Sequence, residues 1–157
     1  MASSVDKLSS NLKVEQCANL TKYYSGNQLC LLLRKGIYPY DYVDCMKNLD
    51  ETSLPQKEAF YSQLTGEGIT DEYHRHAETV WKECIIVSVK YYHNLHNLSD
   101  VLLLADIFEK FRNISMNHYG FDPACYFRAT GLAWDAALKI TNVQLELLSD
   151  PDNVVND

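Results

Sequence analysis

The sequence predicts a mainly α-helical fold, and three observations carry that prediction. Apolar residues recur at three- and four-residue spacing through 70–84 and 91–118, the period of a helix with one buried face. Start and stop signals bracket the helical stretches: Thr70 before one of them, Gly36 and the run Gly66-Glu67-Gly68 after others. Only two short runs, 85–89 and 143–148, have a composition that fits a strand. At 157 residues, 46% apolar and 22% charged, the chain is long enough to bury a real core.

Taken in order, Ser3 with Asp6 three residues on is a capping-box-like start, and Val5, Leu8 and Leu12 mark a first helical stripe. NQLCLLLRKG (27–36) reads as a short buried helix, with Arg34 and Lys35 against its C-terminal dipole and Gly36 just past its end. IYPYDYVD then runs extended around Pro39. A helix from about Pro55 to Leu64 is stopped by the glycines. Thr70 caps the next helix, on which Tyr73, Ala77, Val80, Trp81 and Cys84 share a face. IIVSV (85–89) fits either an extension of that helix or a short strand. The longest helix covers 91–118, a loop takes YGFDPACYF, and a last helix spans Leu132 to Ile140 before the strand candidate VQLELL.

Two aspartates on the longest helix read differently. At about 100° per residue, Val101, Leu103, Leu104, Ile107, Phe108 and Phe111 fill one arc, with Asp100 near its middle and His96 one turn earlier on the same side. Asp106 falls outside the arc with Glu109 and Arg112, as solvated surface able to pair with Lys110 at i,i+4. A carboxylate on an apolar stripe is costly unless it is paired or metal-bound. Either the helix starts there, with Ser99 or Asp100 as its N-cap, or it extends back through His96 and Asp100 is a hard oxygen ligand suited to Mg2+ or Mn2+.

Net charge is −7, so nothing here grips nucleic acid by bulk charge. The five cysteines are odd in number and form no C-x-x-C, which reads as reduced core residues. No apolar run reaches membrane-span length, and MASSVDKLSS lacks the apolar stretch of a signal peptide, so an intracellular location, cytoplasm or nucleus, is expected. His74, His76, Cys84 and His93 form a rival set of zinc ligands, although H-x-H on a helix splays its two rings. Glu58, Glu72, Glu78 and Glu83 fall on polar faces.

Beyond periodicity, LLLRKGIYPYDYVD, ETSLPQKEAFYSQL, DVLLLADIFEKFR, YGFDPACYF, GLAWDAALK and LELLSDPD follow one another in order and spacing. The chain resembles, over about residues 3 to 152, the protein-primed family B DNA polymerases of viruses, linear plasmids and self-synthesising DNA transposons, most closely the transposon type. The resemblance implies the helical part of an RNase H-like 3′–5′ exonuclease domain over 1–120 and the connection to the polymerase palm over 121–157.

In that family a Tyr-x-x-x-Asp motif closes the exonuclease. Its aspartate binds metal and its tyrosine helps place the attacking water. The motif maps onto His96 through Asp100, which makes Asp100 the implied metal ligand and His96 the occupant of the tyrosine's place. The resemblance implies Mg2+ or Mn2+ as cofactor. It implies primer-template DNA, deoxynucleotides and a terminal protein primer as partners, and no membrane. The carboxylates of the first two exonuclease motifs and of the polymerase site are not in this sequence, so the expectation is a catalytically incomplete segment of a larger enzyme. The alternatives are a transposon-derived, non-catalytic helical interaction module and a small zinc-binding protein.

Overall fold

Six α-helices and four short 3-10 turns follow one another along the described residues: α1 (Val5–Ser9), α2 (Gly26–Leu32), α3 (Met46–Leu49), α4 (Asp71–Glu83), α5 (Val89–Tyr119) and α6 (Ala129–Thr141). The computed structural model describes residues 5–9 and 12–145, and among them the only β pairing is one isolated antiparallel bridge between Ser62 and Glu67. The mainly α expectation holds. Backbone contacts divide the chain into two units, Met1–Lys110 and Phe111–Asp157. No helix among the described residues is long and apolar enough to cross a membrane.

In the first unit α4 starts as its sequence dictates. The Thr70 side chain accepts from the Tyr73 N–H at 3.4 Å, Asp71 and Glu72 lie in the first turn, and Ala77 and Val80 are buried. Those two side chains meet Leu29 and Leu32 of α2 and Tyr92, Leu102 and Leu103 of α5, with Cys17, Leu20 and Tyr38 supplied by loops.

Four local expectations are corrected. Residues 85–88 are neither helix nor strand: α4 ends at Glu83 with Cys84 as its C-cap, exposed Ile85 turns the chain at φ 52°, and α5 begins at Val89, whose N–H donates to Glu51 O at 2.8 Å. Only Lys57–Phe60 of the expected 55–64 helix turns, because Tyr61 is extended and Ser62 N–H donates to Glu67 O across a turn containing Gly66 at φ 70°. The helix α2 stops at Leu32, short of Arg34 and Lys35, and Gly36 is not among the positive-φ glycines. Leu12 lies outside α1; Ser3, and the part of VQLELL beyond Leu145, lie outside the described residues.

The largest correction concerns α5. Its buried positions in the first unit include Tyr92, His96, Ser99, Leu103 and Asp106 at alternating four- and three-residue steps, whereas Val101, Leu104 and Phe108 are exposed. The buried face is rotated by roughly a quarter turn from the arc read off apolar residues. Asp106 is not solvated surface; it is 1% exposed. Its Oδ1 accepts from Asn19 N at 2.9 Å and Asn19 Nδ2 at 3.0 Å, and its Oδ2 from Leu20 N at 3.1 Å. Burial here follows the backbone amides that need an acceptor rather than side-chain hydrophobicity.

In the second unit Gly120, at φ 70°, ends α5, and its N–H donates to Met116 O. Arg112 forks onto Asp122 through Nε at 2.9 Å and Nη2 at 2.6 Å, and that pairing holds the Asp122 carboxyl below the usual range. Asp122 also caps the Pro123–Cys125 turn by accepting from Ala124 N–H. The helix α6 buries Leu132 and Ala136 and ends at Asn142, which is left-handed at φ 52°.

The Asp106 acceptor set makes a specific prediction. An Asn at 106 would turn an amine donor toward one of the N–H groups that a carboxylate oxygen now accepts. Asp106→Asn should therefore lower unfolding stability by about 2–3 kcal/mol, read as a fall in the urea midpoint with an unchanged m-value. A midpoint equal to the wild type would show that the amides find other partners.

Candidate functional site

Six residues before Asp106, the same helix presents a second carboxylate in the opposite condition. Asp100 lies well inside Val89–Tyr119, so it is not an N-cap, and His96 is one turn earlier on the same helix. Asp100 Oδ2 is 3.8 Å from His96 Nε2, beyond hydrogen-bond range, and Asp100 Oδ1 is buried with no hydrogen-bond partner. The side chain is 28% exposed, between the buried and exposed faces of α5.

The loop after α2 builds the surroundings. Pro39 is fully buried and its carbonyl accepts from Tyr42 and Val43 N–H, which turns the chain. Tyr92 of α5 donates its hydroxyl to Ile37 O at 2.7 Å and pins the loop to the helix. Tyr38 then stacks on His96, with centroids 5.1 Å apart and planes 13° from parallel. Tyr40 lies edge-on to both, and its hydroxyl shares a 3.0 Å hydrogen bond with His96 Nε2. A Cβ at Gly36 would lie 3.3 Å from His96 Nδ1, a tight approach that the glycine avoids. His93 faces Tyr38 Oη through Nδ1 at 2.9 Å and Asn97 Nδ2 through Nε2 at 2.9 Å.

Electrostatics follow from this packing. Burial pushes the His96 pKa below its ordinary value against the opposing pull of the Asp100 charge, with Lys35 and His93 adding to the depression. Burial raises the Tyr40 phenol, and the Asp100 charge raises it further. His76 is lowered by its own burial and then by Arg34. His76 and His96 line one cavity of about 20 Å³ with Ser99 and Arg34, room for about one water.

As a ligand set for a hard divalent cation, Asp100 fits as one oxygen donor with an unmatched buried acceptor. Among the described residues no group of three His, Cys, Asp or Glu side chains could enclose an ion. Three of the zinc candidates are engaged elsewhere, His74 Nε2 on Pro55 O at 3.2 Å, His76 at the Leu31 backbone and His93 between Tyr38 and Asn97, and Cys84 is a free thiol at the C-cap of α4. All five cysteines are free thiols, but Cys30, Cys45 and Cys125 are exposed, which corrects their reading as core.

Sequence periodicity singled out Asp100 and His96 and gave no sign that Gly36, Tyr38 and Tyr40 pack beside them. The one available signal was the crowding of tyrosines in GIYPYDYVD, a composition with no period to assign a face. Against protein-family models, curated proteins and solved structures, no match to this chain is found.

The two aspartates should respond oppositely to removal. Asp100→Leu deletes an unmatched buried acceptor and should raise unfolding stability by about 1 kcal/mol; a loss of more than that in urea unfolding would show that Asp100 is held by the fold.

Acid should also weaken the first unit. His76 and His96 have folded-state pKa values depressed below 6.5, so between those values and 6.5 the unfolded chain binds more protons. Stability should be full above about 6.5 and fall as pH drops through the folded values. Replacing both histidines with Gln should flatten that slope; an unchanged slope would assign it to carboxylates.

Proposed function

We propose that this chain is the exonuclease-to-palm segment of a protein-primed family B DNA polymerase, in which Asp100 supplies one oxygen ligand of a two-metal 3′–5′ exonuclease site. The ordered sequence blocks support the family. The observation that carries the site is Asp100 itself: a mid-helix carboxylate with a buried oxygen that nothing in the described fold satisfies. An unmatched buried acceptor costs stability, and such costs are tolerated where a ligand offsets them. The RNase H-like fold, the Mg2+ or Mn2+ requirement, and primer-template DNA, deoxynucleotides and a terminal protein as partners belong to the same reading.

Within it, the protein's own contribution is placement. Asp100 brings a negative charge to the face of α5, at the edge of its buried stripe. His96, only 5% exposed and boxed in by Tyr38 and Gly36, acts through Tyr40 instead of reaching solvent itself. Two divalent ions, when bound, supply activation of the attacking water and stabilisation of the leaving 3′-oxygen. The remaining carboxylates come from exonuclease motifs that this sequence does not carry.

A second reading, a non-catalytic helical interaction module of transposon origin, is favoured by one observation: Leu98, Val101, Leu104 and Phe108 form an exposed apolar row on α5. The two separate in one experiment. In a polymerase carrying this segment together with the first two exonuclease motifs, Asp100→Asn should cut excision of single-stranded DNA by more than about 100-fold, beyond the 10–100-fold cost of losing a group that merely orients a ligand. Primer extension by the same protein should be unchanged. Excision indifferent to Asp100→Asn would end the exonuclease reading.

A further inference from the structure

We propose that Tyr40 is a stacking platform for the terminal base of a single-stranded DNA end lying over Asp100, an inference that rests on the exonuclease reading of that site. The residue is unusual in being exposed and immobilised together. It is 66% exposed, yet its hydroxyl is bonded to the buried His96 Nε2 at 3.0 Å and its ring lies edge-on to Tyr38, centroids 5.1 Å apart. The backbone beneath it is fixed on both sides, by the buried Pro39 and the Tyr92 hydroxyl on Ile37 O, and by Tyr42, which donates its hydroxyl to Glu51 at 2.7 Å.

A ring held this way has little rotamer freedom left to lose when a planar ligand settles on it. The charge balance also favours stacking over phosphate capture as the main grip. The chain carries −7 and repels polyanions, so a contact with nucleic acid has to be local and largely uncharged. An aromatic face meets that condition for any base. The Tyr40 hydroxyl and Asp100 Oδ2 meet the same His96 Nε2, at 3.0 and 3.8 Å, and a single-stranded 3′ end is the ligand that needs an aromatic face beside one carboxylate.

The test uses the full 157-residue chain and a short oligothymidylate at low salt without divalent ions, with affinity read by NMR shift titration and saturation transfer to the thymine protons. Tyr40→Leu should weaken binding about tenfold or more, while Tyr40→Phe and Tyr40→Trp, which keep an aromatic face and lose the hydroxyl's hold on His96, should weaken it less than Tyr40→Leu. Circular dichroism confirms that each variant is folded, and the Phe and Trp variants decide the matter if the Leu variant is not. Absence of detectable binding by the wild-type chain, equal binding by folded Tyr40→Leu, or Tyr40→Phe as weak as the Leu variant would each overturn the platform. Excision by the completed enzyme with Asp100→Asn reads the exonuclease assignment separately. Tyr40-dependent binding without Asp100-dependent excision would keep the platform and remove that assignment.

Discussion

Asp106 is the fixed point of the first unit. A loop that bends at Asn19 and Leu20 must bury backbone N–H groups, and buried amides left without acceptors are among the costliest defects a fold can carry. One carboxylate takes both amides and the Asn19 side chain, joining positions 87 residues apart. Because that carboxylate must face inward, the rotation of α5 is set. Tyr92, His96, Ser99 and Leu103 then face inward with it, and Val101, Leu104 and Phe108 face out. Leu20, fully buried beside the clamp, and Cys17, whose thiol is pushed up by burial and the Asp106 charge, fill the space that results.

The same rotation places Asp100 at the margin of the buried face. The two aspartates share a helix and a chemistry, and differ in what meets them. Asp106 has three donors converging on it, while Asp100 has an imidazole nitrogen 3.8 Å away and one oxygen with no partner. The fold satisfies one carboxylate fully and leaves an oxygen of the other unmatched, on a single element. Structural importance and chemical availability are opposite conditions here.

Much of the helical plan was legible because it rests on local rules. Thr70 before α4 and the long apolar-rich run of α5 needed no knowledge of the rest of the chain. What failed was non-local. Hydrophobicity alone put Asp106 outside and Leu104 inside, because periodicity counts apolar side chains and cannot see that a loop 87 residues away carries unsatisfied amides. The 55–64 segment failed for a smaller reason, the bridge between Ser62 and Glu67, which competes with continued helix. Asp100 was singled out correctly as unusual, although its neighbours on the expected arc are not the ones that bury. The tyrosines around it were invisible as a site because their arrangement is created by one buried proline and one hydroxyl from α5.

Gly36 and His96 occupy a shared volume, since a single added carbon on the glycine would press on the imidazole. A change at either position is therefore felt at the other. A side chain at 36 requires the imidazole at 96 to give by a few tenths of an ångström. Substitutions at the two positions should be non-additive, although they lie sixty residues apart in the chain, because they are in contact in space.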